Sequence, residues 1–202
     1  PTVKKTTLLY NKKAGCFFKI LNPLTLKNRI LFPLLDKSGR IYLLSEQLLA
    51  EGVKVPEVEA YGTLGGEKRP IFVMKKIEGK SLYEILIREQ KSLSMEMYLK
   101  IMDEVARFHL LGYWFGDAHL SHVFVTDAGV SGFIDIDSIR KNKPFSLRPL
   151  AKDLAGLNYP GLPFFDDEKR ALLNHYLDAS GIKKRDKFLR LLKHYTERRW
   201  KV

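Results

Sequence analysis

The stretch GDAHLSHVFVTDAGVSGFIDID, residues 116–137, contains the features that decide the fold. Two short apolar runs, VFVT and GFIDI, stand on either side of an Asp-Ala-Gly turn at 127–129, a pattern that predicts a β-hairpin. Asp117 precedes His122 by five residues and Asp135 by eighteen. Because the hairpin brings residues 122 and 135 together, the sequence predicts a polar site beside an apolar core.

The rest of the chain changes character near Ser81. Strands are predicted at 6–10, 16–21, 57–64 and 70–76, with a helix at 41–51 that ends at Gly52. Helices dominate afterwards: one opens at Ser81, a long amphipathic one ends at Gly112, and two more lie near 166–179 and 184–199. The fold class predicted is α+β and compact, with a small β-rich lobe at 1–78, a helical lobe at 79–202 and a ligand cleft between them.

Composition favours a folded protein of a reducing compartment. The chain has 202 residues, 45% of them hydrophobic, and its one cysteine, Cys16, cannot form an internal disulfide. No apolar run approaches the roughly 20 residues of a membrane span, and residues 1–10 lack the apolar segment of a secretion signal. These features predict a cytoplasmic location.

Positive charge is concentrated at both ends of the chain. The net charge is +12; residues 1–35 hold seven Lys or Arg and no acid, and residues 183–202 hold nine against two acids. Basic ends on a nearly neutral body favour an anionic partner, either nucleic acid or an anionic membrane surface, although solvated lysine faces explain them equally well.

The spacing of Asp117, His122 and Asp135 indicates phosphoryl transfer. Two carboxylates and an imidazole at one hairpin edge can hold a divalent ion while one carboxylate contacts a hydroxyl nucleophile. A metal and a lysine would offset the charge of ATP, and the acceptor hydroxyl needs orientation and a proton acceptor.

The motifs GDAHLSHVFV and FIDID resemble those of the lipopolysaccharide kinases of the Kdo/WaaP family, within the protein-kinase-like superfamily. In that pattern His takes the place of the metal-binding Asn of protein kinases, and I-D-L replaces D-F-G. The stretch RPLAKDLAGLNYPG also looks like a family segment. The resemblance covers roughly residues 6–180 and implies a kinase that uses ATP and Mg²⁺.

The resemblance implies nucleotide-binding residues upstream. CFFKIL is similar to the strand whose lysine, Lys19, binds the α- and β-phosphates, and Glu46 takes the position of the helix glutamate that pairs with it. VMKKIEGKSL is similar to the hinge whose backbone faces adenine, and that backbone comprises Met74, Lys75, Lys76 and Ile77. A strand lysine among Phe and Ile side chains needs a charged partner, unless it faces solvent.

Each site residue has a role implied by the resemblance and a simpler alternative. Asp117 is the general base or orienting group, or else a loop carboxylate that caps backbone amides. His122 binds metal, or contacts phosphate and Asp117, or is a buried structural residue, since imidazole suits Mg²⁺ poorly. Asp135 is the principal metal ligand. Asp137 shares a strand face with it and also binds metal, or else caps the following turn.

Neighbouring polar residues are assigned structural roles. Asp153 resembles a family aspartate expected at a helix start, where it braces the catalytic loop. His109 is expected to be a hydrogen-bonded packing residue and His119 a solvent-exposed loop residue. The chain lacks both the His-Arg that precedes the catalytic Asp in protein kinases and a G-x-G-x-x-G before Lys19.

The acceptor implied by the resemblance is a sugar hydroxyl of the lipopolysaccharide inner core, a heptose or Kdo, at the inner face of the inner membrane. Alternatives are a kinase-like enzyme for a small molecule or protein, and a nucleotide-binding pseudokinase. A metal-dependent hydrolase built on Asp117, His119, His122 and Asp135 is a further possibility, and nucleic-acid binding through the basic ends is the non-enzymatic one.

Overall fold

The computed structural model describes residues 5–26, 28, 30, 32, 35–66, 68–162 and 164–201. Contacts divide the chain into two compact units, one that ends at Ile77 and one that begins at Glu78. In the described residues, no helix has both the length and the apolar character that crossing a membrane requires.

The first unit is an antiparallel sheet covered by a helix. Its strands are β1 (Thr6–Asn11), β2 (Cys16–Leu21), β3 (Val58–Leu64) and β4 (Arg69–Lys75), in the order β1-β2-β4-β3. Gly15 closes the first hairpin with φ +64°, and its N–H donates to the Asn11 carbonyl at 2.9 Å. Such a backbone conformation is accessible to glycine at low cost, which explains the NKKAG turn.

Helix α1 (Lys37–Ala50) is fixed to this sheet by side-chain hydrogen bonds. The carboxylate of Asp36 caps it by accepting from the Gly39 N–H at 2.8 Å. Ser45 is fully buried and donates from its hydroxyl to the Pro56 carbonyl at 2.9 Å. The helix ends at Ala50, two residues before Gly52, whose φ of +74° confirms the predicted terminator.

The second unit is built on short strands and four helices. The strands are β5 (Lys80–Ser81), β6 (Tyr113–Trp114), β7 (Val123–Thr126), β8 (Gly129–Phe133) and β9 (Arg140–Lys141). They form a sheet of order β5-β7-β8 and a separate β6-β9 ribbon. The helices are α2 (Met95–Leu110), α3 (Leu147–Leu157), α4 (Asp166–Ala179) and α5 (Arg185–Trp200).

Helix packing and an aromatic cluster form the core of this unit. Helix α2 packs against α4, and α3 against α5. The Phe108 ring stacks on Phe115 at 4.3 Å between centroids, and Phe115 contacts Phe133 at 4.9 Å. These rings join a long helix, the loop before Asp117 and the hairpin, so the core positions the polar loop directly.

The structure corrects several sequence expectations. The segment after Ser81 is a π-helical turn at Glu84–Arg88 rather than a regular helix, although the Glu84 N–H does donate to the Ser81 hydroxyl at 3.2 Å. The second strand of the hairpin ends at Phe133, not near residue 136. The mixed α and β content agrees with the predicted class.

Candidate active site

His122 connects the loop of Asp117 to the hairpin of Asp135. Its ring Nδ1 lies 2.9 Å from the backbone carbonyl of Asp117, and its own carbonyl accepts from the Ile134 N–H at 2.9 Å. Because a carbonyl only accepts, Nδ1 carries a proton and donates this hydrogen bond. These two hydrogen bonds join the backbone of Asp117, through His122, to Ile134, the residue before Asp135.

Asp135 has a backbone conformation that non-glycine residues seldom adopt. Its φ of 70° and ψ of 43° lie in the left-handed region, and it is the second residue after the end of β8. The hydroxyl of Ser138 donates a short hydrogen bond to the Asp135 carboxylate, and the Ser138 N–H donates to the Asp135 carbonyl at 2.9 Å. Aspartate tolerates this region better than most residues, and such conformations cluster at functional sites.

Asp137 lies in a 3₁₀ turn, Ile136–Ser138, and not in a strand. The prediction that it shares a strand face with Asp135 is wrong, because the strand ends before either residue and the chain turns at Asp135. The guanidinium of Arg140 donates to the Asp137 carbonyl at 2.7 Å. The backbone of Asp137 thus helps to hold the turn that presents Asp135.

Asp117 is exposed and paired with the last helix. Its side chain keeps 67% of its surface, and Nη2 of Arg199 lies 3.1 Å from its carboxylate. The same Nη2 donates to the Ala118 carbonyl at 2.9 Å, so one guanidinium nitrogen fixes both side chain and backbone of the loop. An exposed carboxylate in a fixed loop is accessible to a substrate hydroxyl.

A buried polar network holds the same loop from the inside. Asp153 and His109 are each 1% exposed, and the Asp153 carboxylate accepts from His109 Nε2 at 3.2 Å and from the Phe115 N–H at 2.6 Å. The Tyr176 hydroxyl lies 2.7 Å from His109 Nδ1. With His109 protonated on Nε2, both hydrogen bonds are satisfied: the Tyr176 hydroxyl donates to Nδ1, and Nε2 donates to the Asp153 carboxylate.

Burial governs the titration of this network. It raises the pKa of Asp153, against the opposing effect of the hydrogen bond from His109. Burial likewise raises the pKa of Tyr176, so the phenol keeps its proton and donates to His109. The expected bracing role of Asp153 agrees with these contacts, but the residue lies inside α3 rather than at its start.

Two glycines allow the loop to approach its neighbours closely. A Cβ at Gly116, whose φ is +78°, would lie 2.2 Å from the Ser138 carbonyl oxygen. A Cβ at Gly156 of α3 would lie 2.2 Å from the Ala118 carbonyl oxygen. The loop therefore lies between the turn that follows Asp135 on one side and α3 on the other.

Lys19 is buried in the first unit, with 8% of its surface exposed, so the solvent-facing alternative is wrong. It pairs across the sheet with Phe72, which pairs with Tyr61, and paired residues of antiparallel strands share a face. The Tyr61 ring stacks on Tyr42 of α1 at 4.9 Å. Lys19 thus faces the side of the sheet that α1 covers, and Glu46 is an exposed residue of that helix.

The proposed hinge residues begin in β4. Met74 and Lys75 are its last two residues, followed by Lys76 and Ile77. The Lys75 N–H donates to the Glu57 carbonyl at 2.9 Å and the Lys76 N–H to the Gly15 carbonyl at 3.2 Å. Contact of these four residues with adenine stays a prediction.

The donor chemistry suits Mg²⁺ at Asp135 better than at His122. Mg²⁺ prefers oxygen ligands, which Asp135 offers and an imidazole does not. No group of three or more His, Cys, Asp or Glu side chains is arranged to hold a metal in the part of the chain that the structure describes. That finding counts against the four-residue hydrolase site, whereas a kinase metal site draws its further oxygens from phosphates and water.

The sequence did not predict Arg199 as part of the site. Of the two histidine predictions, the one for His109 is confirmed and the one for His119 is only partly correct. Arg199 lies 82 residues from Asp117, and no local motif marks it. His109 is the hydrogen-bonded packing residue expected. His119 is only partly exposed, with Nδ1 3.0 Å from the Ser121 hydroxyl, and burial is the main cause that lowers its pKa, followed by the charges of His122 and Arg199.

Solved structures share this fold at low sequence identity. The bifunctional kinase-methyltransferase WbdD superposes with a TM-score of 0.59 and 14% identity over 95% of this chain and 47% of its own. An aminoglycoside-3'-phosphotransferase of type VIII superposes with a TM-score of 0.56 and 16% identity over 96% of this chain and 94% of its own. This chain thus spans about half of WbdD and nearly all of the phosphotransferase.

The comparisons establish a protein-kinase-like fold. Neither a protein-family profile nor a curated protein sequence matches this chain. Membership of the Kdo/WaaP family is therefore not confirmed, and it stays a resemblance of motifs.

Proposed function

We propose that this chain is a phosphotransferase that moves the γ-phosphoryl group of ATP to a hydroxyl group, in a reaction that depends on Mg²⁺. The observation that carries the proposal is the pair of hydrogen bonds by which His122 joins the backbone of Asp117 to Ile134, the residue before the left-handed Asp135. A kinase-like fold and neighbours whose names include a kinase and a phosphotransferase add weight to it.

The two aspartates have different tasks in this proposal. Asp117 is exposed on a loop that is fixed from both sides, so it orients the acceptor hydroxyl and receives its proton. Asp135 holds Mg²⁺, and Asp137, two residues further on, is the second carboxylate proposed for it. When bound, Mg²⁺ neutralises charge that develops on the phosphate oxygens.

Lys19 serves the nucleotide phosphates in the same scheme. Lys19 is a lysine with 8% of its surface exposed, in a strand with Phe and Ile neighbours, and burying such a charge is costly unless another charge compensates it. Pairing with Glu46 and with the α- and β-phosphates gives Lys19 a function there, and Met74 to Ile77 are the backbone proposed to meet adenine.

A sugar hydroxyl of the lipopolysaccharide core, heptose or Kdo, is the acceptor that we favour. The motif resemblance points to it, and the basic helix α5 suits the anionic surface that presents such a glycan. Phe188 is fully buried and packs helix α5 against the rest of the second unit. The exposed basic side chains of α5 would therefore be the ones that contact a membrane.

Transfer from γ-labelled ATP tests the function directly. The protein is incubated with Mg²⁺ and a panel of lipopolysaccharide cores, small alcohols and proteins, beside Asp117→Ala and the exposed hairpin control Asp127→Ala. We expect label on the cores with wild type and Asp127→Ala and none with Asp117→Ala. Label on the small alcohols or on the proteins instead would show that the acceptor belongs to that class. Binding of Mg-ATP without transfer to any of the three classes would indicate a pseudokinase.

A further inference from the structure

A pocket of about 330 Å³ opens beside Asp117, within the second unit. Gly116 and Ala118, the two neighbours of Asp117, form one wall. Helices α3 and α5 supply the rest of the lining, which consists of Lys152, Asp153, Ala155, Tyr195, Arg198 and Arg199. Its volume lies in the range of small-molecule sites, about 300–1,000 Å³.

The pocket carries a positive charge that nearby acids do not balance. Lys152 lies over the Tyr195 ring at 5.3 Å, and neither Lys152 nor Arg198 has an ion pair with any residue that the structure describes. Asp153, the one acid of the lining, is 1% exposed and directed to His109 and Phe115. A concave wall with this excess of cations attracts anions.

Arg199 presents donors that are available to a ligand. Both of its hydrogen bonds come from Nη2, to Asp117 and to Ala118. Its Nε and Nη1 make no hydrogen bond within the described part of the chain. A guanidinium with donors left over forms paired hydrogen bonds to carboxylate or phosphate.

The position of the pocket separates it from the metal site. The loop lies between the turn at Ile136–Ser138, which Gly116 touches, and helix α3, which Gly156 brings against Ala118. The described lining of the pocket includes neither Asp135 nor a residue of the turn that follows it. The pocket is therefore distinct from the position at which Asp135 would serve the phosphates.

We propose that this pocket binds a carboxylate or phosphate group of the acceptor, so that the acceptor is an anionic sugar held by Lys152, Arg198 and Arg199. The inference rests on the phosphotransferase proposed above and adds the chemical class of its acceptor. Arg199 contacts both the acceptor anion and Asp117, which aligns the acceptor hydroxyl with the carboxylate that receives its proton.

Trp200 offers a direct readout of binding. Its indole N–H donates to the carbonyl of Ala155, a residue of the pocket wall, at 2.8 Å. The ¹H–¹⁵N signal of that indole is followed at constant ionic strength during titration with glucose 6-phosphate, glucuronate, glucose and inorganic phosphate. The Trp114 indole is the internal reference.

We expect glucose 6-phosphate or glucuronate to shift the Trp200 signal saturably, and glucose to leave it unchanged. Arg198→Ala combined with Lys152→Ala should weaken this binding at least tenfold, whereas Arg190→Ala, on the same helix but outside the pocket, should bind as wild type does. Equal shifts with glucose, equal affinity for inorganic phosphate and the sugar phosphate, or an unaffected double variant would each overturn the proposal.

A second arm distinguishes this inference from the proposed function. The same proteins are assayed for Mg-ATP-dependent transfer to each sugar. Anion binding without transfer to any acceptor leaves the site in place and contradicts the phosphotransferase. Transfer to neutral sugars by wild type and double variant alike contradicts the anion site and leaves the phosphotransferase in place.

Discussion

Two sets of polar side chains contact the loop of Asp117: a buried layer and an exposed layer. They differ in solvent exposure and in the role that we assign to each. Beneath the loop, Asp153 and His109 are 1% exposed and fully hydrogen-bonded. Above it, the Asp117 side chain is 67% exposed and forms an ion pair with Arg199. The buried layer fixes the backbone, and our proposal gives the chemistry to the exposed Asp117. Stability and chemistry would then be carried by different aspartates.

Removing the buried aspartate should have the largest effect on stability. Asp153→Ala leaves His109 Nε2 and the Phe115 N–H without their acceptor, and we expect a loss of roughly 3 kcal/mol of unfolding free energy. Urea unfolding measures it. Asp117→Ala is the matched exposed control and should lose under about 1 kcal/mol, because exposed ion pairs contribute little. Equal losses in the two variants would contradict the division between layers.

Closing the gap between helix and loop should have the next largest effect. Gly156→Ala places a Cβ 2.2 Å from the Ala118 carbonyl oxygen. Because that oxygen belongs to the backbone, the backbone must move to relieve the contact. We expect a net loss of about 1–2 kcal/mol, since strain of up to about 3 kcal/mol exceeds the roughly 1 kcal/mol that Ala gains over Gly in a helix. Gly62→Ala, which meets no atom within 4 Å, is the control. A stabilised Gly156→Ala would refute the close packing.

The titration of His119 should show the smallest effect. Burial holds its pKa below the ordinary 6.5, and the charges of His122 and Arg199 lower it further. Because the unfolded chain binds this proton more readily, stability contributed here is lost as the pH falls from 6.5 through the folded pKa. Histidine NMR should show the pKa of His119 rise in Arg199→Ala and stay unchanged in Arg190→Ala. A wild-type value of 6.5 or above would contradict this environment.

Local patterns predicted most of the elements. The hairpin of residues 6–21 followed from β-type runs around NKKAG, and α2, α4 and α5 followed from helical periodicity and capping residues. Helix α3 was not predicted from local pattern, and short elements were missed as well. The β6-β9 ribbon has two residues in each strand, too few for a periodic signal.

The site was predicted in part, and the reason lies in the range of its contacts. Asp117, His122 and Asp135 lie shortly before and after one local hairpin, so the link through His122 follows from chain order. The left-handed conformation of Asp135 is set by the turn and by Ser138, not by a glycine that the sequence could show. Arg199 and the partners of Asp153 come from distant helices, which no spacing in the sequence reveals.

Nucleotide binding and turnover, measured on the same variants, test the central claim most directly. Calorimetry with Mg-ATP and transfer of labelled phosphate are compared for Asp117→Ala and Asp135→Ala. The account predicts that Asp117→Ala binds Mg-ATP within about twofold of wild type and loses transfer by roughly 10³-fold, within the usual range for a positioned base. Asp135→Ala should weaken Mg-ATP binding at least tenfold as well. Wild-type transfer by either variant would contradict the account.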